Sequence, residues 1–359
     1  MPLPTPTLYA ATPSVSLDGN VEPSLGAGVL SASVEEDVEG MRRCEIVLGN
    51  WGEAGPGLGF VLSDRRLVDF GRTIALTIGE GDRRGEIFTG AVTGIEEHYP
   101  LGRVPELVVL AEDRLQDLRM IRRTRTFEDV SDDDVIRQIA ADHGLQADVD
   151  IDTTQYRALA QLNESDLSFV RARARAVDAE VWLAGGVLHV QARSRRDAGA
   201  VTLTYGADLR ELSVLADLSH QRTGVGVTGW DVGAKEPLAH EATESAIQAE
   251  LDGLTGGAAT LARAFGSRVD RIVGAVPLSS AEARAVAETR FRRAARRFVS
   301  GTGTAEGDAR IIVGSHVDLA GISRAFSGRY FVTEIRHAYD GATGFRTTFR
   351  IQRPGLGGV

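Results

Sequence analysis

The sequence predicts a mainly β protein with α/β inserts, and three observations predict it. From Gly301 to Arg353 apolar and polar residues roughly alternate, with Gly or Asp-Gly between the runs, as short antiparallel strands with one buried face require. Between Thr73 and Ala111 the same alternation recurs around the turn Gly79-Glu80-Gly81-Asp82. At Ser131 and at Ser279 the period changes to that of a capped helix.

Each element follows from local chemistry. Pro- and Thr-rich residues 1–12 suit an extended segment. Thr73–Ile78, Glu86–Ile95 and Leu107–Ala111 read as strands of a small antiparallel barrel or sandwich. Ser131 can cap the amide of Asp134, and Asp134 can reach back. Val130 and Val135 have staple spacing, and Asp132, Asp133 and Asp134 complement the helix dipole. Adjacent carboxylates diverge on a helix, so this acid run reads as a cap and not as a metal site. Ile136, Ile139 and Ala140 are the expected buried face, and Gly144 the residue that ends the helix.

A second helix follows Asp166, with Leu167, Val170, Ala174 and Val177 in one stripe and Arg171, Arg173 and Arg175 on a solvated face. Val181–Val190 is expected to be a hairpin turning on Gly185-Gly186. Gly224-Val225-Gly226-Val227-Thr228-Gly229 has the letters of a dinucleotide fingerprint but leads into a strand and turn, not a helix, so nucleotide binding is not expected. Ser279 and Glu282 start a helix expected to run to about Val299. Ala287, Phe291, Ala294, Ala295 and Phe298 form its apolar stripe, and Arg290, Arg292, Arg293, Arg296 and Arg297 a basic strip.

Composition narrows the function. The net charge of −10 opposes broad nucleic-acid affinity and would suit a wall that does not bind polyanions. Lys235 is the only lysine among the 40 cations. The single cysteine, Cys44, lies in an apolar-alternating run and reads as a buried thiol. Met1-Pro2-Leu3-Pro4-Thr5-Pro6 lacks a basic region followed by an apolar core, so no secretory signal is expected; no apolar run reaches membrane-span length. Cytoplasmic assembly is the expectation.

No catalytic constellation emerges. His98, His143, His189, His220, His240, His316 and His337 show no metal-ligand spacing, and neither a nucleophile elbow nor a phosphate-binding Gly-Lys-Ser/Thr loop occurs. No enzyme activity, cofactor or metal is expected.

Several segments resemble one family. They are Gln161–Phe169 with the hairpin after it, Gly229-Trp230-Asp231 with Lys235, and Gly328-Arg329-Tyr330 with His337. Together they look like the phage late control D family, the baseplate hub of contractile tails, which is similar to the N-terminal part of type VI secretion (VgrG) spike proteins. The resemblance covers about residues 20–353. It marks Asn163, Asp166, Phe169, Trp230, Asp231, Gly328, Tyr330 and His337 as structural signature residues. It implies two small antiparallel β-barrels, 13–112 and 201–240 with 301–353. It also implies inserts at 113–200 and 241–300, a flexible 1–12 and a tail 354–359.

The implied role is a structural, trimeric adaptor between a six-fold inner tube and a three-fold spike, in a phage tail, a tail-like bacteriocin or an injection system. Its partners would be the tube protein, the spike and other baseplate proteins, with no nucleic-acid sequence recognition. Because the chain stops at Val359, the spike is expected to be a separate protein. The basic strip itself reads first as a solvated or salt-bridged face; the alternative, contact with an acidic neighbouring subunit, makes Arg292, Arg293, Arg296 and Arg297 the candidate subunit-interface residues. The rival readings are a tail-associated cell-wall hydrolase and a receptor- or glycan-binding tail protein. The first predicts peptidoglycan cleavage, the second binding to intact cells.

Overall fold

Period-two alternation becomes one 13-stranded sheet in the computed structural model, which describes residues 11–54, 56–231, 235–272 and 279–358. Its order runs from Leu209–Ala216 through Val299–Glu306, Gly344–Arg353, Gly328–Asp340, Val29–Asp37, Arg43–Gly49, Glu106–Glu112, Gly85–His98, Thr73–Ile78 and Ser14–Leu17 to Asn20–Val21. His316–Ala320 branches from Gly328–Asp340 and pairs in parallel with Ala200–Thr204. The two expected β units are thus joined by one antiparallel pairing, in which Ile335 faces Glu36 and Tyr339 faces Ala32.

Inward side chains divide into two cores. One holds Val15, Leu17, Ile46, Ile74, Phe88 and Val109, with Phe345 reaching in from the C-terminal strands. The other holds Leu203, Phe298, Val317, Tyr330, Ile335 and Phe349. Cys44 is buried in the first, and burial pushes its thiol well above the ordinary range, so it is inert.

The first insert packs helices Asp132–Asp142 and Asp166–Ala176 on a ribbon, Arg122–Ser131 with Gln155–Ser165, and on the sheet Gln146–Asp150, Val187–Ala192, Ala179–Ala184. The Ser131 cap forms as expected: its Oγ accepts from Asp134 N at 3.2 Å, and Asp134 accepts from Ser131 N at 2.9 Å. Gly144 sits at φ +63° and the hairpin turns through Gly185 and Gly186 at φ +56° and +79°. Gly40 seats this insert on the large sheet. Its φ is +82°, and an added Cβ would lie 1.6 Å from the Val181 carbonyl oxygen.

Several boundaries differ from expectation. Strands Gly224–Asp231 and Glu236–Ala242 do not belong to the second β unit. They form a separate three-stranded sheet with Val269–Ile272, packed on helix Ser280–Ala295 through Val225, Val227, Ala287 and Phe291. Alternation marked them as strands but could not choose their sheet. That helix stops at Ala295, because Phe298 enters the second core and Val299 starts a strand opposite Arg353. Gly355–Leu356 is no free tail but pairs with Thr255–Gly256. The expected flexible segment lies outside the described residues up to residue 10, and Ala11 is buried. No described helix is long and apolar enough to cross a membrane.

Candidate functional site

The strand register lines up polar side chains across the outward face of the large sheet. One row crosses eight strands: Glu211, Thr304, Thr348, Arg336, Glu35, Arg43, Glu112 and Ala91. A neighbouring row runs Glu306, Arg346, Ala338, Ser33, Glu45, Leu110 and Gly94. Another runs Ser213, Thr302, Arg350, Glu334 and Asp37. Cross-strand ion pairs lie along these rows: Arg336–Glu35 at 3.1 Å, Arg350–Glu334 at 3.3 Å and Arg346–Glu306 at 2.8 Å. Carboxylates nevertheless outnumber guanidiniums there, so the face is acidic.

Among the described residues no three His, Cys, Asp or Glu side chains form a metal-binding group. Strand Gly224–Asp231 runs straight through the fingerprint-like glycines, so they cradle no phosphate.

The signature residues lie in the first insert, in the smaller three-stranded sheet and on the strand Gly328–Asp340. Asp166, 1% exposed at the start of its helix, receives Arg123 (3.0 Å), Arg125 (2.9 Å), His143 (2.9 Å) and Gln161 (2.9 Å). Burial alone would raise its pKa, but the hydrogen bonds from His143 and Gln161 and the charges of Arg125 and Arg123 hold it below the ordinary range. Asn163 adopts φ +50° at a bulge, where Asn is tolerated. Its carbonyl accepts from Arg122. Phe169 stacks on Phe127 with centroids 6.0 Å apart.

Trp230 is half exposed opposite Pro237, and the side chain of Asp231 lies outside the described residues. Gly328, at φ +109°, opens the strand that buries Tyr330 completely. The Tyr330 hydroxyl donates to Phe326 O at 2.7 Å, and burial pushes its pKa up to about 12. His337 lies at the seam between the two cores, with Nδ1 3.0 Å from Thr347 Oγ1. Burial pulls its pKa down to about 4, so it is neutral at pH 7.

The basic strip does not face one way. Arg292 bonds Glu288 (2.8 Å) and the Ala246 carbonyl (2.8 Å), and Arg293 donates to Arg175 O (2.6 Å). Arg297 is exposed. Arg296 corrects the expectation. It is 2% exposed, because the helix ends at Ala295 and turns it inward onto Asp178 and Glu250. Arg173 is half-buried instead of fully solvated; it pairs with buried Asp132 and lies over Tyr156. Missed altogether by sequence reasoning was the buried chain Arg42–Glu36, Arg196–Glu180 and Arg296–Asp178, which ties both inserts to the sheet. Its members are far apart in sequence, and only the charges themselves were visible.

The fold matches several solved structures along its length. The 43 kDa tail protein of prophage MuSo2 from Shewanella oneidensis has a TM-score of 0.70 at 13% identity, covering 96% of this chain and 99% of that one. A tail protein from Neisseria meningitidis MC58 gives 0.67 at 14%, covering 97% and 98%. The E. coli c3393 protein gives 0.62 at 12%, covering 96% and 79%; it is described as a type VI secretion component with structural similarity to T4 bacteriophage tail proteins gp27 and gp5. At these identities the likeness is one of fold. No curated protein matches the chain. A family model described as the Alg8 N-terminal domain (Alg8_N) matches residues 9–340, and the chain therefore belongs to the Alg8 N-terminal domain family.

Proposed function

We propose that this chain is a structural hub of a contractile tail or tail-like injection particle, of the late control D type. In this reading three copies form a ring that joins a six-fold inner tube to a three-fold spike, without catalysis or cofactor. The observation that carries it is the fold shared over nearly the whole chain with two tail proteins and a type VI secretion component.

Three features support it. The two halves of the large sheet, each with its own core, would serve as the two like barrel domains per chain, and three chains would offer six to the tube. The acidic outward face would line the channel, since a wall of carboxylates and hydroxyls does not retain a polyanionic cargo. Trp51, Phe60 and Tyr99 pack edge to face at 5.3 and 5.9 Å yet remain exposed, as do Leu58 and Leu101. A patch of this kind marks a surface that an assembly covers. Arg292, Arg293 and Arg297 stay as candidate subunit contacts; Arg296 is engaged within the chain.

Light scattering on the full chain, alone and with the spike protein encoded nearby, tests the reading. A mass near three times 38.4 kDa in either state is expected. A monomer in both states, with no spike binding, would overturn it.

A further inference from the structure

The hairpin Gly52–Ala54 with Gly57–Gly59 carries its larger side chains on one face. Glu53 lies opposite Leu58 in its register. Trp51 and Phe60, two positions from that pair along each strand, share its side, because alternate positions of a strand do. Gly52, Ala54, Gly57 and Gly59 leave the other side nearly bare. Leu58 is 71% exposed. So short a ribbon is marginal on its own, and here its base is held. Buried Asn50 accepts from Val61 N (3.2 Å) and Leu62 N (2.8 Å) and donates to Ser63 Oγ (2.9 Å). Trp51, Phe60 and Tyr99 brace one another edge to face.

Beyond the end strand of the large sheet, Leu209–Ala216, the chain borders an open groove of about 710 Å³. Residues 217–222, helix Gly257–Phe265 and the edge strand Val269–Ile272 supply its walls. Leu218 and Leu261 line it, and Phe265 and Val269 stand in it exposed. No hairpin residue lines this groove, so the chain does not fill it with its own hairpin.

The charges around the two features are complementary. In the groove, Asp217 accepts from Ser219 N (2.8 Å) and Oγ (2.6 Å), and Asp270 faces Arg222 at 4.0 Å. Arg268 has no carboxylate partner among the described residues; its Nη1 donates to the adjacent Ser267 carbonyl. Its backbone is pinned, N to Thr223 Oγ1 at 2.8 Å and O from Thr223 N at 2.9 Å. Near the hairpin, Arg65, Arg66 and Arg103 each pair with an acid, whereas Glu53 has no cation partner among the described residues.

We propose that the hairpin of one copy docks in this groove of the next copy, with Leu58 against Leu261 and Phe265 and Glu53 on Arg268. Because Glu53 and Leu58 are cross-strand neighbours, one insertion serves both contacts. The apolar side chains supply the affinity, and the ion pair fixes orientation more than strength. Hairpin and groove are different surfaces, so the contact is heterologous and its repetition closes into a ring. The proposal rests on the hub reading and names the surfaces by which its copies meet.

Light scattering across a concentration series of the full chain, alone and with the spike protein encoded nearby, tests it in Glu53→Arg, Arg268→Glu and the double reversal. Each single reversal is expected to raise the concentration needed for assembly about tenfold or more, and the double reversal to restore it to within about threefold. Thermal unfolding checks that each variant folds. Cross-linking gives an independent readout, since buried Cys44 is inert. Mixed Leu58→Cys and Phe265→Cys chains are expected to form a disulfide between those two positions, identified by peptide mass. Linkage of 58 to 58 as the main product would overturn the docking. Three-copy assembly unaltered by either reversal would overturn it and leave the hub reading standing. A chain that stays monomeric alone and with the spike would overturn both. Loss of spike binding in Glu53→Arg, with assembly between copies intact, would assign the hairpin to the spike and overturn the docking.

Discussion

Arg296 closes a two-point ion pair on Asp178, Nη1 to Oδ1 at 2.7 Å and Nη2 to Oδ2 at 2.8 Å, although 118 positions separate them in sequence. Both are buried. Each belongs to a different insert, so the pair is a clamp between inserts rather than a feature of either. Asp178→Ala would leave Arg296 with Glu250 as its remaining acid. The expected cost is about 3–5 kcal/mol, the range for breaking a buried pair. Urea unfolding checks it; a loss under about 1 kcal/mol would mean that the pair adds little beyond packing.

Tyr330 is the buried anchor of the C-terminal strands. Tyr330→Ala should cost about 3 kcal/mol or more, and Tyr330→Phe, which orphans only the Phe326 carbonyl bond, about 1 kcal/mol. The denaturant midpoint should move with little change in slope. Equal effects of the two variants would contradict a role for the ring in packing.

His337 makes stability depend on acid. Its folded pKa lies below that of the unfolded chain, so protonation favours unfolding, and its contribution, complete above about pH 6.5, is lost as pH falls toward 4. Asp113 has the opposite sign. Burial, opposed by amide bonds from Arg42 and Leu115, leaves its carboxyl raised to about 6, so its contribution is present at low pH and lost as pH rises from about 4 through 6. The two partly cancel in the native protein. In His337→Asn the rise in stability between pH 4 and 6.5 should therefore weaken or reverse. A stability–pH profile parallel to that of the native chain would refute this.

Gly40→Ala is expected to destabilise by about 2 kcal/mol or more, since the positive φ strains any side chain and the new methyl meets the Val181 carbonyl. If the insert can shift aside, Gly40→Ala will show early proteolysis of residues 113–200 while the large sheet stays protected. Wild-type stability in thermal unfolding would show that the close approach is not maintained in solution.

The parts of this fold that were readable share one property: their cause is local. Ser131 and Asp134 bond each other across one turn, and Gly185-Gly186 dictates its own hairpin. What escaped is set by distance. Alternation made Gly224–Asp231 a strand but could not assign it to the smaller sheet, where Val225 and Val227 meet helix Ser280–Ala295. The arginines after residue 290 read as one exposed strip because nothing near them shows that Arg296 turns toward Asp178. The polar face is partly legible, as outward positions of strands, but its continuity depends on the pairing of Val29–Asp37 with Gly328–Asp340.

That pairing also has a kinetic consequence. Val29–Asp37 leaves the ribosome well before one of its two neighbours, Gly328–Asp340, which lies some 290 residues further along the chain. At about 5–20 residues per second the edge stays open for tens of seconds. Its consecutive acids Glu35, Glu36 and Asp37 place charge at the end of that waiting edge, which discourages pairing with other nascent chains. Closing so long a loop last should make completion of the sheet the slow step of folding, and the step most exposed to aggregation.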